Sequence, residues 1–391
     1  MRRLVLLIFA LSFILSLNAK IFDKKDYMCF TFFDKQFCEK YGINEEYLMK
    51  LKKEPMYKFS PEDVNVYLRY CQEYIPNVRD RVAHIATKFL GQPYRIYLLG
   101  EFPFEIYDPD PIYCLDHSDC VTFVEMVYSM AFSKNWTTFI TLLQRIRYKD
   151  GEISYITRNH WSLPDWDRNN SWLVLDISSP QYMPAELLGK VKMHIDKAKY
   201  FKRFSTKRGF LIGQEFKPFD YETYYVPYQN IPKVLKYLQT GDLVNIIRGF
   251  DGPEWCGHFG LIIKERDGVI YFLHSTYGGV RIQPLLDYVT ASIERNERLK
   301  KHNALYEKYK DEIKKLEKYL KTHKYNIFAK WKYDKIKKYK RRKPYFWGIK
   351  FLRLREDALE NLKKIDGADA PKVTAPKGLL YKDDVYIKEK K

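Results

Sequence analysis

The sequence predicts an α+β fold, with helices packed on one side of a mainly antiparallel β-sheet. The chain has 391 residues and 46% of them are hydrophobic, which is enough to bury a sizeable core. Segments with apolar residues at helical spacing come first, and short runs rich in β-branched and aromatic residues follow them. Helices followed by a run of strands are typical of this fold class.

The first 19 residues have the composition of a secretory signal peptide. Arg2 and Arg3 precede an apolar stretch from Leu4 to Leu17, and small or polar residues end the segment at Ala19. This stretch is shorter than the roughly 20 residues of a membrane-spanning helix, although a short anchor is the alternative interpretation. We expect the protein to be exported and cleaved, and to be periplasmic or extracellular.

The cysteines of an exported protein can form disulfides in an oxidising compartment. Cys29 and Cys38 are close enough in the sequence to close a small loop. Connectivity cannot be deduced from one sequence, so the pairing of these two residues and of Cys71, Cys114 and Cys256 stays open.

Four helices are predicted before the first strand. The first lies in "SPEDVNVYLRYCQEY", where Ser60 is a good N-cap and Pro61 fits the first helical position. The second lies in "PNVRDRVAHIATKFLG" and stops at Gly91. The third runs from Cys120 to about Phe132, and the fourth lies in "NWTTFITLLQRIRYKDG".

Five later segments are predicted to be strands because they are short, β-branched or aromatic, and bounded by turn residues. In chain order they are "SWLVLDIS", "GDLVNIIRG", "HFGLIIKE", "VIYFLHST" and "GIKFLRL". We divide the chain into residues 1–19 (signal peptide), 20–77 (N-terminal helical segment), 78–292 with 344–359 (main domain), 293–343 (basic helical insertion) and 360–391 (loosely packed C-terminal tail).

The basic insertion carries most of the excess positive charge. Between Lys300 and Lys343 there are 18 basic and 5 acidic residues, a local charge of +13 out of +19 for the chain. A helix pair that packs on the core by an apolar stripe is one interpretation of this segment. Contact with an anionic envelope polymer or a membrane surface is the other. Nucleic acid is not an expected partner, because the signal peptide argues against it and no aromatic stacking platform accompanies the charge.

Cys120 is the strongest candidate nucleophile. Ser118 or Asp119 can cap the predicted helix, which places Cys120 in its first turn. The unpaired N–H groups and the helix dipole there favour thiolate over thiol. The dipole contributes only about 0.3 to 1 kcal/mol at exposed sites, so a basic partner is also needed.

Two histidines on consecutive predicted strands are the candidate partners of Cys120. His258 opens one strand, and His274 lies on the next. A two-residue hairpin turn would place the histidines on opposite faces and put Ser275 in the third position. A three-residue turn that ends at Gly268 would place both histidines on one face. In that arrangement, His258 would take the thiol proton and His274 would fix its tautomer.

A zinc site is the alternative interpretation of the same region. Its candidate ligands would be Cys114, Asp116, His117, Cys120, Cys256 and His258. Their spacings do not match the paired C-x2-C knuckles of structural zinc sites. The sequence therefore predicts neither a metal nor another cofactor.

These residues resemble a known family. "DCVTFVE", "HFGLII" and "LHST" are similar to the NlpC-type branch of papain-like cell-wall cysteine hydrolases. "LGQPY", "RIRYKDGEISYITRNHWSLPDW", "GDLVNII" and "GIKFLRL" resemble its N-acetylmuramoyl-L-alanine amidase-like family. The resemblance implies a papain-like fold, the triad Cys120, His258 and His274, and a role in substrate binding for Asp119 and for Tyr94, near the oxyanion site.

The activity that the resemblance implies is hydrolysis of the amide between N-acetylmuramic acid, in its anhydro form, and L-alanine. The expected partners are therefore peptidoglycan fragments. A γ-D-glutamyl-diamino acid endopeptidase with the same triad is an alternative. A non-catalytic envelope-binding protein, whose functional contact is the basic insertion, is another.

The segment "TRNHWSLPDW" is predicted to form a wall of the substrate site. Trp161 and Trp166 offer flat apolar faces on which sugars and peptide stems pack, and Arg158 can pair with a carboxylate in a bidentate way. His160 and Asp165 add hydrogen-bonding groups. Without the resemblance, a surface loop is the simpler interpretation of this segment.

Overall fold

A computed structural model describes residues 30–105, 108–208, 216–265 and 268–366, with the backbone alone for residues 204–208. The predicted signal peptide, Cys29 and residues 367–391 of the predicted tail lie outside these ranges. Within them, no helix is both long and apolar enough to cross a membrane.

The four helices predicted before the first strand form where the caps and the apolar spacing place them, and the structure adds others that the sequence did not predict. Ser60 and Asp63 form a reciprocal capping box at the start of the third helix, with Pro61 at its first position. The helices are α1 (Phe32–Tyr41), α2 (Glu45–Lys53), α3 (Pro61–Tyr74), α4 (Val78–Lys88), α5 (Cys120–Ala131), α6 (Trp136–Arg147), α7 (Asp167–Asn169), α8 (Lys197–Arg208), α9 (Ile231–Val234), α10 (Leu285–Thr322), α11 (Ile327–Ile336) and α12 (Ala358–Asp366).

The strands form one sheet, and every strand pair in it is antiparallel. They are β1 (Val174–Asp176), β2 (Gly189–Ile195), β3 (Phe219–Pro227), β4 (Leu243–Gly249), β5 (Trp255–Lys264), β6 (Ile270–Thr276), β7 (Gly279–Pro284) and β8 (Tyr345–Leu354). Their order is β2-β3-β8-β4-β5-β6-β7, and β1 pairs with β8. The α+β class with a mainly antiparallel sheet is confirmed, although the sequence did not predict β2, β3 and β7.

Helices cover both faces of this sheet, so the prediction that they lie on one side is wrong. Leu261 and Leu273 face a core shared with α3 to α6. Ile262 and Phe272, their neighbours along the strands, face a second core, which Leu285 at the start of α10 helps to form. Successive residues of a strand point to opposite faces of the sheet. Strands β4 to β6 are apolar at nearly every position because both of their faces are buried.

The predicted basic insertion is a helical hairpin formed by α10 and α11. The first helix starts at Leu285, so the predicted boundary between residues 292 and 293 falls inside it. Two asparagines on this helix anchor it to the start of β8, because Asn296 donates to the Phe346 carbonyl and Asn303 to the Lys343 carbonyl.

The prediction of a loose tail from residue 360 is wrong for its first residues. Residues 358–366 form α12, in which Leu362 is 2% exposed. Asp366 accepts hydrogen bonds from the Arg145 guanidinium. The helix packs because its apolar side joins the core that α3 to α6 share with the sheet.

Candidate active site

Asp119, rather than Ser118, caps helix α5 and places Cys120 at its first position. The Asp119 carboxylate accepts hydrogen bonds from the N–H groups of Val121 and Thr122 at 3.0 and 2.8 Å. The Thr122 hydroxyl accepts from the Asp119 N–H, which completes a capping box. The backbone at Cys120 is therefore fixed by local interactions.

The Cys120 thiol lies against the N-terminal half of β5. The Phe259 N–H donates to its sulfur, as does the N–H of Cys120 itself. Burial raises the pKa of the thiol to about 12, and the Asp119 carboxylate raises it further. The two N–H groups, and after them Arg248, lower the pKa but do not offset the burial. The N–H at the helix start therefore acts in the predicted direction, toward the thiolate, but desolvation outweighs it.

A β-bulge in β5 lies at His258, the residue before the Phe259 N–H that contacts the Cys120 sulfur. Asn245 pairs with Phe259 and Ile247 pairs with Cys256, so two residues of β5, Gly257 and His258, lie opposite a single residue of β4. Such bulges redirect a side chain and are common beside active sites.

The hairpin between β5 and β6 brings the two histidines together. Leu261 pairs with Leu273, and the register places Gly260 opposite His274. The hairpin therefore has the three-residue form of turn, and Gly268 adopts a left-handed φ of 86°. His258 Nε2 lies 2.6 Å from His274 Nδ1. Because Nε2 of His258 is engaged, its Nδ1 is the nitrogen left for a proton from a thiol.

Gln283 of β7 extends this chain of hydrogen bonds. Its side-chain amide lies 3.2 Å from His274 Nε2, while the His274 ring stacks on Phe272 at a centroid distance of 4.3 Å. The atom in this position is the amide nitrogen Nε2 of Gln283, which donates to His274 Nε2 and leaves the proton of neutral His258 on Nδ1. The reverse amide orientation, with the oxygen accepting from His274 Nε2–H, leaves Nδ1 of His258 unprotonated. The orientation of the Gln283 amide therefore selects the tautomer of both rings.

Both histidines are neutral at ordinary pH. Burial lowers the pKa of His258 to about 3, and the Arg248 and Arg281 guanidiniums add to the effect. Burial, with His258 and Arg281 acting in the same direction, lowers the pKa of His274 to about 2. The resting site therefore holds a neutral thiol beside a neutral imidazole pair.

Tyr94 and a buried polar network fix the loop before Cys120. Tyr94 forms a parallel bridge with Ser118. The Ser118 hydroxyl donates to the Gln92 side-chain oxygen at 2.6 Å and contacts the Ser275 hydroxyl at 2.9 Å. Burial, followed by the charges of Cys120 and Asp119, raises the pKa of Tyr94 to about 12. The Tyr94 hydroxyl is therefore protonated, and it lies close enough to Cys120 to interact with it electrostatically.

Two residues of the predicted substrate wall have internal partners instead. Arg158 Nε donates to Glu101 at 2.7 Å and its Nη2 donates to Asp108 at 2.8 Å, so the guanidinium is already paired with two carboxylates. Trp166 is 1% exposed, and its Nε1 donates to Glu125 at 3.0 Å. The predictions that Arg158 pairs with a substrate carboxylate and that Trp166 offers a free face are corrected accordingly.

Of the other wall residues, His160 and Trp161 line a cleft, whereas Asp165 is buried. Asp165 is 5% exposed and accepts from Lys197 Nζ at 2.8 Å, which holds that cation 5.5 Å from the centre of the Trp161 ring. His160 Nε2 donates to the Tyr155 carbonyl at 2.6 Å, and burial followed by Arg158 lowers the pKa of His160 to about 3.

The cleft has a volume of about 560 Å³ and connects this wall to the start of β5. Its lining includes His160, Trp161, Lys192, His194, Trp255 and Cys256, but none of Cys120, His258 and His274. The Cys256 thiol contacts the His258 carbonyl at 3.4 Å.

Sequence reasoning missed Gln283, Gln92 and Arg248 as parts of the site. Only the alternation of "GVRIQP" could have indicated that Gln283 lies on a strand. In the described ranges the cysteines are free thiols, namely Cys38, Cys71, Cys114, Cys120 and Cys256. The same ranges contain no group of three His, Cys, Asp or Glu side chains arranged to hold a metal ion.

Comparisons with known proteins show which solved structures and which family this chain is similar to. The chain superposes on protein LPG0564 from Legionella pneumophila, of the DUF1460 family, with a TM-score of 0.51 and 22% identity, covering 75% of this chain and 95% of that one. An N-acetylmuramoyl-L-alanine amidase from Bacteroides uniformis gives a TM-score of 0.46 and 18% identity, covering 71% and 99%. A search of curated proteins found no match. Residues 84–325, more than half of the chain, match a family model described as "AmiA-like: N-acetylmuramoyl-L-alanine amidase-like". The protein therefore belongs to the AmiA-like family.

Proposed function

We propose that this protein is a cysteine-dependent N-acetylmuramoyl-L-alanine amidase of the papain-like, NlpC-type superfamily. Its substrates would be muropeptides, preferably with the anhydro form of the sugar. The observation that carries the proposal is the contact of 2.6 Å between His258 and His274, in a strand pair whose first member, β5, contacts Cys120 through the Phe259 N–H. The family adds independent support for an amidase-type peptidoglycan hydrolase.

In the proposed reaction, Cys120 Sγ attacks the lactyl carbonyl carbon while its proton moves to Nδ1 of His258. Transfer and attack are coupled, because the raised pKa of the thiol disfavours a free thiolate beforehand. The Cys120 N–H, which needs no intrahelical partner at the first helical position, donates to the oxyanion. The protonated Tyr94 hydroxyl is a second candidate donor.

Collapse of the tetrahedral intermediate breaks the C–N bond, and His258 gives its proton to the departing amine of L-alanine. The sugar acid remains bound to Cys120 as a thioester. Water, deprotonated by His258, then attacks the thioester and restores the thiol. His274 and Gln283 hold the His258 ring in one tautomer throughout.

The cleft of about 560 Å³ is the proposed position of the muropeptide. The rings of Trp161 and Trp255 are surfaces on which a sugar packs. Lys192, whose ion pair with Glu222 at 3.2 Å is exposed, is the cation proposed to pair with a stem-peptide carboxylate. We propose export as well, on the charge and apolar pattern of residues 1–19.

The test is product analysis by mass spectrometry on defined anhydro and reduced muropeptides. Release of the intact stem peptide, faster from the anhydro form, is the expected result. Cys120→Ser should abolish it, whereas Cys114→Ser, a change at another partly buried cysteine, should not. Full activity in Cys120→Ser would refute the cysteine mechanism, and cleavage within the stem would identify the endopeptidase instead.

A further inference from the structure

The far end of the α10–α11 hairpin extends away from its attachment to the sheet. Asn303 is the outer of the two asparagines that tie α10 to the start of β8. From Asn303 to Thr322 the helix continues for about 28 Å at ~1.5 Å per residue. We call residues 319–335 the hairpin tip.

The hairpin tip exposes large apolar side chains close together in the sequence. Tyr325 is 95% exposed, Ile327 84%, Phe328 73% and Trp331 53%. The rings of Phe328 and Trp331 stack with centroids 6.0 Å apart. Single exposed apolar residues are ordinary on protein surfaces, but a cluster of this size marks an interaction surface.

Lysines surround these apolar side chains. The hairpin tip contains five lysines and one acidic residue, Asp334, which pairs with Lys337. Lys335 Nζ lies 3.6 Å from the centre of the Trp331 ring. These lysines belong to the segment with a local charge of +13, so the partner of this surface is expected to be anionic.

We propose that the hairpin tip binds the surface of an anionic lipid bilayer. Its aromatic and aliphatic side chains would enter the boundary between headgroups and acyl chains, while its lysines contact the lipid phosphates. Each lysine near such a surface adds to the attraction, and salt weakens it. A soluble anionic polymer would engage the lysines but leave the four apolar side chains in water, which favours the bilayer. This binding goes beyond the proposed hydrolysis and does not depend on it.

The experiment is co-sedimentation of the full chain with vesicles of phosphatidylglycerol and phosphatidylethanolamine, compared with phosphatidylcholine alone. Binding to the anionic vesicles that decreases with added salt is expected. The variant Phe328→Ser/Trp331→Ser should bind at least tenfold more weakly, and Lys324→Glu/Lys330→Glu should also lose binding. The matched control is Tyr277→Ser, which removes a tyrosine that is 90% exposed in the turn between β6 and β7.

The changed side chains are exposed, so circular dichroism should show unaltered folding in these variants. No binding to anionic vesicles, or equal binding by Phe328→Ser/Trp331→Ser and the wild type, would overturn the proposal. So would a dimer that this variant dissociates, since the tip would then be covered by a second copy. Activity on soluble muropeptides should be unchanged in the tip variants. Loss of membrane binding can therefore be distinguished from a failure of the proposed hydrolysis.

Discussion

At the scale of single residues, the protonation state of the site follows from burial more than from any single partner. Desolvation is the largest influence on the pKa of Cys120, of His258 and of His274. It disfavours the anion of the thiol and the cation of each imidazole. Burial therefore disfavours a thiolate–imidazolium pair in the free protein.

This state predicts how Cys120 reacts with iodoacetamide. Alkylation requires the thiolate, and a thiol whose pKa is raised ionises only at high pH. The rate should therefore keep rising with pH beyond pH 9, measured by mass spectrometry of the Cys120 peptide. Asp119→Asn keeps the cap but removes a charge that raises the pKa, so its rate at a given pH should be higher. A plateau below pH 7 would mean that an ion pair already exists.

Gln283 is predicted to be a positioning residue. Gln283→Leu removes the partner of His274 Nε2 and should lower kcat by roughly tenfold with little change in KM, because one net hydrogen bond contributes about 0.5–1.5 kcal/mol. Gln283→Glu restores an acceptor and should recover activity, with the acid limb of the pH profile moved to higher pH. Loss of activity in both variants with an unchanged pH profile would contradict this role.

At the scale of elements, the bulge in β5 and the hairpin to β6 build the site together. The bulge redirects His258, and the three-residue turn puts His274 on the matching face. A turn shorter by one residue would move every side chain of β6 to the other face.

Gly260 is predicted to be essential to this close pairing. A Cβ at residue 260 would lie 2.3 Å from a ring carbon of Phe272 and 2.8 Å from Cβ of His274. Gly260→Ala should destabilise the fold by about 1–3 kcal/mol and lower kcat, because His274 has to move. Gly252→Ala is the control, since its Cβ would meet nothing within 4 Å. Thermal unfolding and kcat are the measurements, and wild-type values for Gly260→Ala would show that the site tolerates the shift.

At the scale of the whole molecule, residues from both ends of the described chain share one core. Phe37 of α1 and Leu362 of α12 belong to the same apolar cluster as the strands that carry the histidines. The C-terminal helix is therefore part of the structure that supports the site.

Leu362→Ala should lower the free energy of unfolding by about 2–5 kcal/mol, because it leaves a cavity in that core. Leu359→Ala, on the same helix but 38% exposed, should change it by less than about 0.5 kcal/mol. Urea denaturation of both variants checks this. Equal effects would mean that α12 contributes little to the core in solution.

The elements that the sequence predicted are those with strong local signals. The capping box at Ser60, the helix start at Cys120 and the apolar runs of β4 to β6 each depend on a few neighbouring residues. Strands β2 and β3 were missed because their apolar residues alternate with charged and polar ones and because both strands are partly exposed. Their strand state depends on pairing with each other and with β8, which is not a local property.

The sequence by itself determined the residue types of the site, the capped helix that presents Cys120, and the placement of His258 and His274 on consecutive strands. It left open which face His274 occupies. Only the tertiary structure decided that face, the neutral state of the thiol and the partners of Arg158 and Trp166. The physical reason is that registers, desolvation and ion pairs depend on groups far apart in the chain, whereas caps and periodicity act within a few residues.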